Sequence, residues 1–341
     1  MLGPLRRYAT VLLRLPTLVG IVFGGVVFLV WWHTVRMPGR SFHGPLSFST
    51  QELALSMVLE RDVRFLSTNI GERNTRKEVA LGTTGAWIER QLHEISLTSR
   101  RSPYSFRDHT VYNIDAIIPA SSANSDIVIV GAHYDSALGT PGANDNGTGV
   151  ACLLELARHF VSYRGTRELR LVWFTNEEPP YFQTADMGSV HYARALASEQ
   201  RHVVAMLSLE TIGYYTDLSD SQQYPGAVSA FFPSVGNFLA FVGNNDSADL
   251  VRRSVAAFRS TTHFPSEGLS VGAEMQGIGW SDHWAFWQIG VPAVMVTDTA
   301  IFRYKHYHRV TDTPDRLDYR RLARVTLGIQ HVVRTLLDAD D

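Results

Sequence analysis

The chain of 341 residues is 45% hydrophobic and 19% charged, proportions that are typical of a folded globular protein and exclude a disordered one. Its formal net charge of −2 gives no global electrostatic support for binding nucleic acid phosphates, so we expect no nucleic acid partner. The single cysteine, Cys152, excludes an intrachain disulfide but leaves the cellular compartment open.

The first predicted element is a transmembrane anchor over residues 15–32. These 18 positions carry no charge and extend about 27 Å as a helix, close to the thickness of a bilayer core. Trp31 and Trp32 stand at one end, where indole rings favour the membrane interface. The alternatives are a buried core helix, which rarely stays uncharged this long, and a cleaved signal peptide, which needs a small-x-small site that is absent here.

Arginines flank this span on both sides, with Arg6, Arg7 and Arg14 before it and Arg36 and Arg40 after it. The excess before the span is slight, but by the positive-inside rule it places residues 1–14 in the cytoplasm. We therefore expect a single-pass membrane protein whose partner is the lipid bilayer and whose large domain lies on the extracytoplasmic side.

Helices and strands alternate along the rest of the chain. Residues 33–48 are rich in proline and glycine and predict a linker, which a single domain over residues 49–341 follows. Apolar spacing predicts helices near 50–66, 84–95, 149–163, 187–198 and 247–259 and from about 318, and strands over 111–120, 126–133, 168–178, 203–213 and 292–298. Residues 237–243 and 282–290 complete the alternation, and residues 214–236 predict an inserted loop. This order indicates an α/β sandwich with a largely parallel sheet.

Acidic residues and histidines follow the predicted strands at the points where they end, which is where open α/β sheets bind ligands. They are His133 and Asp135 in GAHYDS, Asp145 in PGANDNGTG, Glu177 and Glu178 in FTNEE, Glu210 in LSLETIG, and His308 in YKHYHRVTDTPD. Taken singly, each has an ordinary explanation as a structural histidine, a turn with a helix cap, or a solvated glutamate pair. Their occurrence together, in this order, favours a metal site.

Zinc binds imidazole nitrogen and carboxylate oxygen, and a pair of zinc ions needs a bridging carboxylate together with a base for the water. The chain supplies Asp145 as the bridge, with one ion between His133 and Glu210 and the other between Glu178 and His308. Glu177 is then free to act as the base. Adjacent strand residues point to opposite faces, but Pro179 and Pro180 indicate that the strand has stopped at this pair.

The six motifs GAHYDS, GANDNGTG, FTNEE, LSLETIG, SDHWAF and YHRVTDT resemble those of the co-catalytic zinc aminopeptidase family, which includes glutamate carboxypeptidases and glutaminyl cyclases. The resemblance spans roughly residues 50–341. It implies a three-layer sandwich with a mostly parallel mixed central sheet flanked by helices. By position it implies the metal ligands His133, Asp145, Glu178, Glu210 and His308, with Glu177 as general acid and base. Asp135 resembles the carboxylate that orients the first histidine, and Asp282 in SDH a supporting residue.

Two positions need a choice within the resemblance. Many members of the family have aspartate where this chain has Glu210, whose longer side chain still offers a carboxylate to the ion shared with His133. His306 stands two residues before His308, and the spacing to Asp312 and Thr313 matches the family when His308 is the ligand.

The expected function is zinc-dependent exopeptidase activity, with two zinc ions and a peptide substrate whose free N-terminus lies near the metals. A single-zinc glutaminyl cyclase is one alternative, although its bridging region lacks the NDNGTG pattern. A catalytically inactive binding ectodomain is the other, although such relatives lose ligands that this chain retains. The loop 214–236 and the segment around Phe302, Arg303 and Tyr304 are the expected walls of the substrate pocket.

Overall fold

The computed structural model describes residues 19–338, with the exception of positions 21, 30, 33, 107, 108, 123 and 124. Among these residues, no helix is both long enough and apolar enough to cross a membrane. Residues 15–18, 21 and 30 of the predicted anchor, and the whole predicted cytoplasmic segment 1–14, lie outside the described residues. Met37–Asp341 form one compact unit, separate from the residues up to Arg36.

The described residues of the compact unit form a sheet of eight strands. They are β1 (Ser99–Phe106), β2 (His109–Ile118), β3 (Ile127–His133), β4 (Glu168–Phe174), β5 (Val203–Glu210), β6 (Leu239–Gly243), β7 (Ser266–Ser270) and β8 (Ala293–Thr297). Their spatial order is β1-β2-β4-β3-β5-β8-β6-β7. β4, β3, β5 and β8 run parallel to one another, and β1, β2 and the β6–β7 pair join them through antiparallel contacts. The mixed, mostly parallel sheet that the sequence predicts is therefore confirmed.

In the part of the chain that the structure describes, seven α-helices flank the sheet. They are α1 (Thr50–Arg64), α2 (Glu78–Glu94), α3 (Gly149–Phe160), α4 (Gly188–Ser198), α5 (Ala248–Thr261), the short α6 (His283–Trp287) and α7 (Tyr319–Asp338). α1 begins with a capping box, in which the side chains of Ser49 and Glu52 bind each other's backbone amides.

Alternating side chains of the central strands point to opposite faces of the sheet and join two different cores. Val128 and Val130 of β3 belong to the larger core, with apolar residues of α1, α2, α3, α5 and α7. Ile127 and Ile129 belong to a smaller core, with residues of α4 and α6. Because a strand has a side-chain period of two, the continuous apolar run of β3 covers both faces and requires a helical layer on each.

Two strands have no counterpart among the predicted ones, β1 and β7, and both lie at the edges of the sheet. β1 has the sequence SRRSPYSF, and most of its side chains are exposed or half-buried. An edge strand is commonly polar and tolerates proline, so it has neither the apolar alternation nor the continuous apolar run from which a strand is predicted.

The predicted linker 33–48 belongs mostly to the compact unit. Met37 is buried in the larger core, and the hydroxyl of Ser41 accepts a hydrogen bond from the Ser266 amide of β7 at 2.9 Å. A proline- and glycine-rich segment of this kind packs on a domain without forming a helix or a strand.

Candidate metal centre

The candidate metal ligands meet at one edge of the sheet. His133 is the last residue of β3 and Glu210 the last of β5, and Glu177 and Glu178 follow the end of β4. β3 pairs in parallel with both β4 and β5, so the carboxyl ends of the three strands lie side by side. Asp145 reaches this edge from the turn that precedes α3. The parallel arrangement thus gathers side chains that are up to 77 positions apart in β3 and β5.

Two glycines allow the Asp145 turn to approach the strand ends. Gly142 has a φ of +61°, and a Cβ atom there would lie 2.5 Å from the carbonyl oxygen of Asp145. A Cβ atom on Gly149 would lie 2.7 Å from the carbonyl oxygen of Leu209, the residue before Glu210. A larger residue at Gly149 would force the turn away from β5, and one at Gly142 would distort the turn itself, which gives both glycines of the motif a physical role.

The two carboxylate oxygens of Asp145 face two different histidines. Oδ1 lies 3.3 Å from His133 Nε2, which is also 3.2 Å from Glu210 Oε2. Oδ2 lies 3.1 Å from His308 Nε2, which is also 2.9 Å from Glu178 Oε2. Asp145 is therefore the shared member of two groups of donor atoms, as a bridging ligand would be.

Four buried side-chain atoms of this cluster that could bind a metal make no hydrogen bond among the described residues. They are His133 Nε2, Asp145 Oδ2, Glu178 Oε1 and His308 Nε2. Buried polar atoms are nearly always hydrogen-bonded, so a convergent set of this kind requires another partner. The donor atoms of each group lie within 4.8 Å of one another, and imidazole and carboxylate donors suit a divalent metal such as zinc. The residues present therefore fit a metal centre.

The carboxyl groups of Glu177 and Glu178 lie close to other carboxyl groups and away from water, and both conditions raise their pKa values. Burial, together with the charge of Asp145, raises the pKa of Glu178 to about 8. Burial also raises the pKa of Glu177 well above its usual range. Burial lowers the pKa of His308, but the Asp145 and Glu178 carboxylates outweigh it and bring the value to about 11. Protons or metal ions must balance the negative charge that collects here.

Asp135 supports both sides of the cluster. Its Oδ1 and Oδ2 accept hydrogen bonds from the backbone amides of Glu177 and Glu178, each at 3.2 Å. Oδ1 also lies 3.6 Å from Nδ1 of His133, the ring nitrogen that does not face Asp145. The hydrogen-bond partner of this nitrogen is the backbone carbonyl oxygen of Asp135 at 3.2 Å, so Asp135 holds the backbone of the glutamate pair through its carboxylate and the histidine ring through its main chain.

The structure brings together the five predicted ligands with Glu177 and Asp135. His133, Asp135, Asp145, Glu177, Glu178 and Glu210 are all buried. His306 lies outside the cluster, since its Nδ1 is 2.8 Å from the hydroxyl of Thr311. His308, which has a positive φ of 54°, is the histidine that points at Asp145.

The sequence analysis assigned no supporting role to two residues that have one in the structure. Arg73 is fully buried, and its guanidinium donates to the carbonyl oxygens of Tyr134, Pro141 and Gly142, which belong to the loops beside the ligands. Asp312 accepts hydrogen bonds from the backbone amide of Asp145, at 3.2 Å, and from that of the preceding residue. A charged residue in a polar segment has the same local pattern whether it is solvated or buried, so nothing in the sequence distinguishes Arg73, and Asp312 enters the sequence analysis only through its spacing from His308.

An apolar cavity of about 790 Å³, including its open mouth, adjoins the metal cluster at Glu210. Its walls come from the loop 214–236, from residues 275–280 around Trp280, and from Phe302. The two predicted wall residues that follow Phe302 lie elsewhere. Arg303 is buried and donates to the carbonyl oxygen of Phe238 at 2.8 Å, and the Tyr304 hydroxyl donates to Asp312 at 2.8 Å. The cavity has the position and the character to receive an apolar side chain beside the cluster.

The sequence model of peptidase family M28 matches residues 113–333, more than half of the chain. The uncharacterized protein YfbL of Escherichia coli is 36% identical over 292 residues, which cover 82% of this chain and 88% of that protein. A probable aminopeptidase of Saccharomyces cerevisiae is 26% identical over 268 residues, which cover 73% of this chain and 64% of that protein.

Among solved structures, the fold is similar to that of the zinc aminopeptidase BSAP of Bacillus subtilis. The TM-score is 0.66 with 16% sequence identity, and the match covers 86% of this chain and 97% of the other. At this level of identity the likeness concerns the fold alone.

Proposed function

The chain belongs to peptidase family M28 and is a zinc-dependent exopeptidase, and we propose that it removes N-terminal residues from peptides with two zinc ions and Glu177 as the base. The observation that carries the proposal is the pair of donor groups that share Asp145 and end in buried atoms without hydrogen bonds.

In this proposal Asp145 would be a ligand shared by both ions, His133 and Glu210 would hold one of them, and Glu178 and His308 would hold the other. When bound, the zinc ions lower the pKa of a coordinated water and polarise the scissile carbonyl. Glu210 reaches its position with a glutamate side chain where many relatives of the family have aspartate, and the Ser281 hydroxyl donates to its Oε2 at 2.9 Å. That hydrogen bond holds the longer side chain in one orientation.

Glu177 is the proposed general base. Its Oε2 lies 3.8 Å from His133 Nε2, too far for a hydrogen bond. Glu177 forms a third group of possible ligands with His133 and Glu178, but it belongs to neither of the groups that share Asp145. Burial raises its pKa, so it is a stronger base than a solvated glutamate. In the reaction Glu177 takes a proton from the attacking water and passes it to the leaving amine.

The apolar cavity beside Glu210 supports exopeptidase action on the N-terminal residue. We propose that the side chain of that residue enters the cavity, between Trp280 and Phe302 on one wall and the loop 214–236 on the other. The name of the yeast relative, a probable aminopeptidase, supports the same direction of cleavage.

Bound zinc and a panel of aminoacyl chromogenic amides test this proposal against its two alternatives. We expect two zinc ions per chain and hydrolysis of amides that carry a large apolar residue. A single zinc with cyclisation of N-terminal glutamine would indicate a glutaminyl cyclase. Full zinc occupancy without turnover of any amide or peptide would indicate a binding protein and contradict the proposal.

We also propose that residues 15–32 anchor the protein in a membrane, with the catalytic domain on the extracytoplasmic side. The support is the uncharged run and the slight excess of arginine before it. The full chain is expected in the membrane fraction, whereas a chain that starts at Met37, which keeps the contacts of Met37 and Ser41, is expected to be soluble and active. Full-length protein in the soluble fraction with its N-terminus intact would contradict the anchor, and protease accessibility from each side would test the orientation.

A further inference from the structure

A second, polar cavity adjoins the metal cluster at Glu178. Its lining includes Asn74, Arg76, Asn176 and Tyr181, and Asp135 and Glu178 form part of its wall. The apolar cavity touches the cluster at Glu210, which lies 3.2 Å from His133, whereas Glu178 lies 2.9 Å from His308. The two cavities therefore reach the two halves of the cluster. A peptide whose N-terminal side chain occupies the apolar cavity places its leaving portion toward the polar one.

The loop that carries Arg76 is held in place by hydrogen bonds on both sides. Asn74 donates from Nδ2 to the Ser136 carbonyl oxygen at 3.2 Å, and its Oδ1 accepts from the Arg76 amide at 3.1 Å. The hydroxyls of Thr75 and Tyr181 lie 2.9 Å apart, which ties the loop to the opposite wall. The backbone of Arg76 is therefore positioned on the rim of the cavity before any ligand arrives.

Among the described residues, the guanidinium of Arg76 has no hydrogen bond and no ion pair. Its acidic neighbour Glu72 already accepts hydrogen bonds from Asn74 Nδ2 at 3.0 Å and from the Gly139 amide at 2.9 Å. The two acidic residues in the cavity wall are also engaged, since Asp135 binds two backbone amides and Glu178 faces His308. A planar guanidinium at the mouth of a polar cavity suits a carboxylate, which it can bind through two parallel hydrogen bonds.

We propose that Arg76 binds the C-terminal carboxylate of short peptides, so that di- and tripeptides are preferred over longer or C-terminally blocked substrates. This inference rests on the proposed aminopeptidase function and adds the class of substrate. Arg76 acts on the leaving portion of the peptide and takes no part in proton transfer. Its contribution therefore belongs to substrate binding, and a change at this position alters KM more than kcat.

Matched pairs of di- and tripeptides with a free or an amidated C-terminus test the proposal. For the wild-type enzyme we expect the free form to have a kcat/KM about tenfold higher than the amide, through a lower KM. Arg76→Ala is expected to bring this ratio close to one, and Arg76→Glu to invert it. Lys77→Ala removes a neighbouring exposed cation that does not line the polar cavity, and it should leave the ratio as in the wild type.

Equal kcat/KM values for free and amidated peptides in the wild type, or an unchanged ratio in Arg76→Ala, would overturn the role of Arg76. The aminoacyl chromogenic amides, which have no carboxylate, separate this failure from a failure of the proposed function. If the wild type hydrolyses these amides, the aminopeptidase proposal stands and only the carboxylate site is lost. If it hydrolyses neither class, both proposals are wrong.

Discussion

Glu177→Gln and Glu178→Gln are both expected to be slow enzymes, but only the second is expected to lose metal. The two residues are adjacent and chemically identical, and both backbone amides are held by Asp135. Their carboxylates nevertheless face different partners, Glu177 toward His133 at 3.8 Å and Glu178 toward His308 at 2.9 Å. Glutamine keeps the size of the side chain in each case, so the comparison isolates the charge and the ability to accept a proton.

In Glu177→Gln the amide cannot take the proton of the attacking water. Removal of a general base lowers the rate by about 10²–10⁴-fold, and zinc content should stay as in the wild type. In Glu178→Gln a charged oxygen leaves the donor group of His308 and Asp145, so at least one zinc ion should be lost. Steady-state kinetics and metal analysis on the same preparations measure both effects.

Glu94→Gln is a matched control, because Glu94 is exposed on α2 and far in sequence from the cluster. It should have normal rate and normal metal content. Exchanged phenotypes for the two site variants would mean that the base and the ligand are assigned to the wrong members of the pair. Normal activity in Glu177→Gln would remove the proposed mechanism.

Exhaustive chelation is expected to abolish activity, and added zinc is expected to restore it more effectively as the pH rises. His133 and His308 must be neutral to bind metal. Without metal, the neighbouring carboxylates raise the pKa of His308 to about 11, so a proton occupies the nitrogen that faces Asp145 and Glu178 at neutral pH. Zinc must displace this proton, and its apparent affinity should rise by about one decade per pH unit for each proton released.

The stability of the metal-free folded protein depends on pH in the opposite direction to the zinc affinity. A histidine with a raised pKa stabilises the folded state fully below its unfolded pKa of 6.5, and this contribution is lost as the pH rises through about 11. Zinc titrations of the chelated protein at several pH values, with activity and zinc content as readouts, test the prediction. Full activity at a confirmed metal content near zero would rule out the metal mechanism, and a zinc affinity that does not change with pH would contradict the displaced proton.

The sequence predicted the central strands and the ligands because both have local signatures. A buried parallel strand is a short apolar run, and a ligand that ends it is a charged or imidazole side chain at a fixed place, as in β3 and His133. The edge strands β1 and β7 have neither signature, since β1 is polar and largely exposed and β7 is a run of five residues, SEGLS, with a single large apolar side chain. Their pairing depends on partners elsewhere in the chain.

The sequence by itself determined two things. These are the set of side chains that can hold the metals, and the order along the chain of the central strands and helices that carry them. Only the tertiary structure decided that Arg73 is buried against the carbonyl oxygens of the loops beside the ligands, and that Arg76 stands at the rim of a polar cavity. A periodic pattern reports burial of apolar side chains, because burial recurs at the spacing of the helix or strand. The burial of a single charged side chain depends on hydrogen bonds to residues about 60 positions away, and those contacts leave no periodic trace in the sequence.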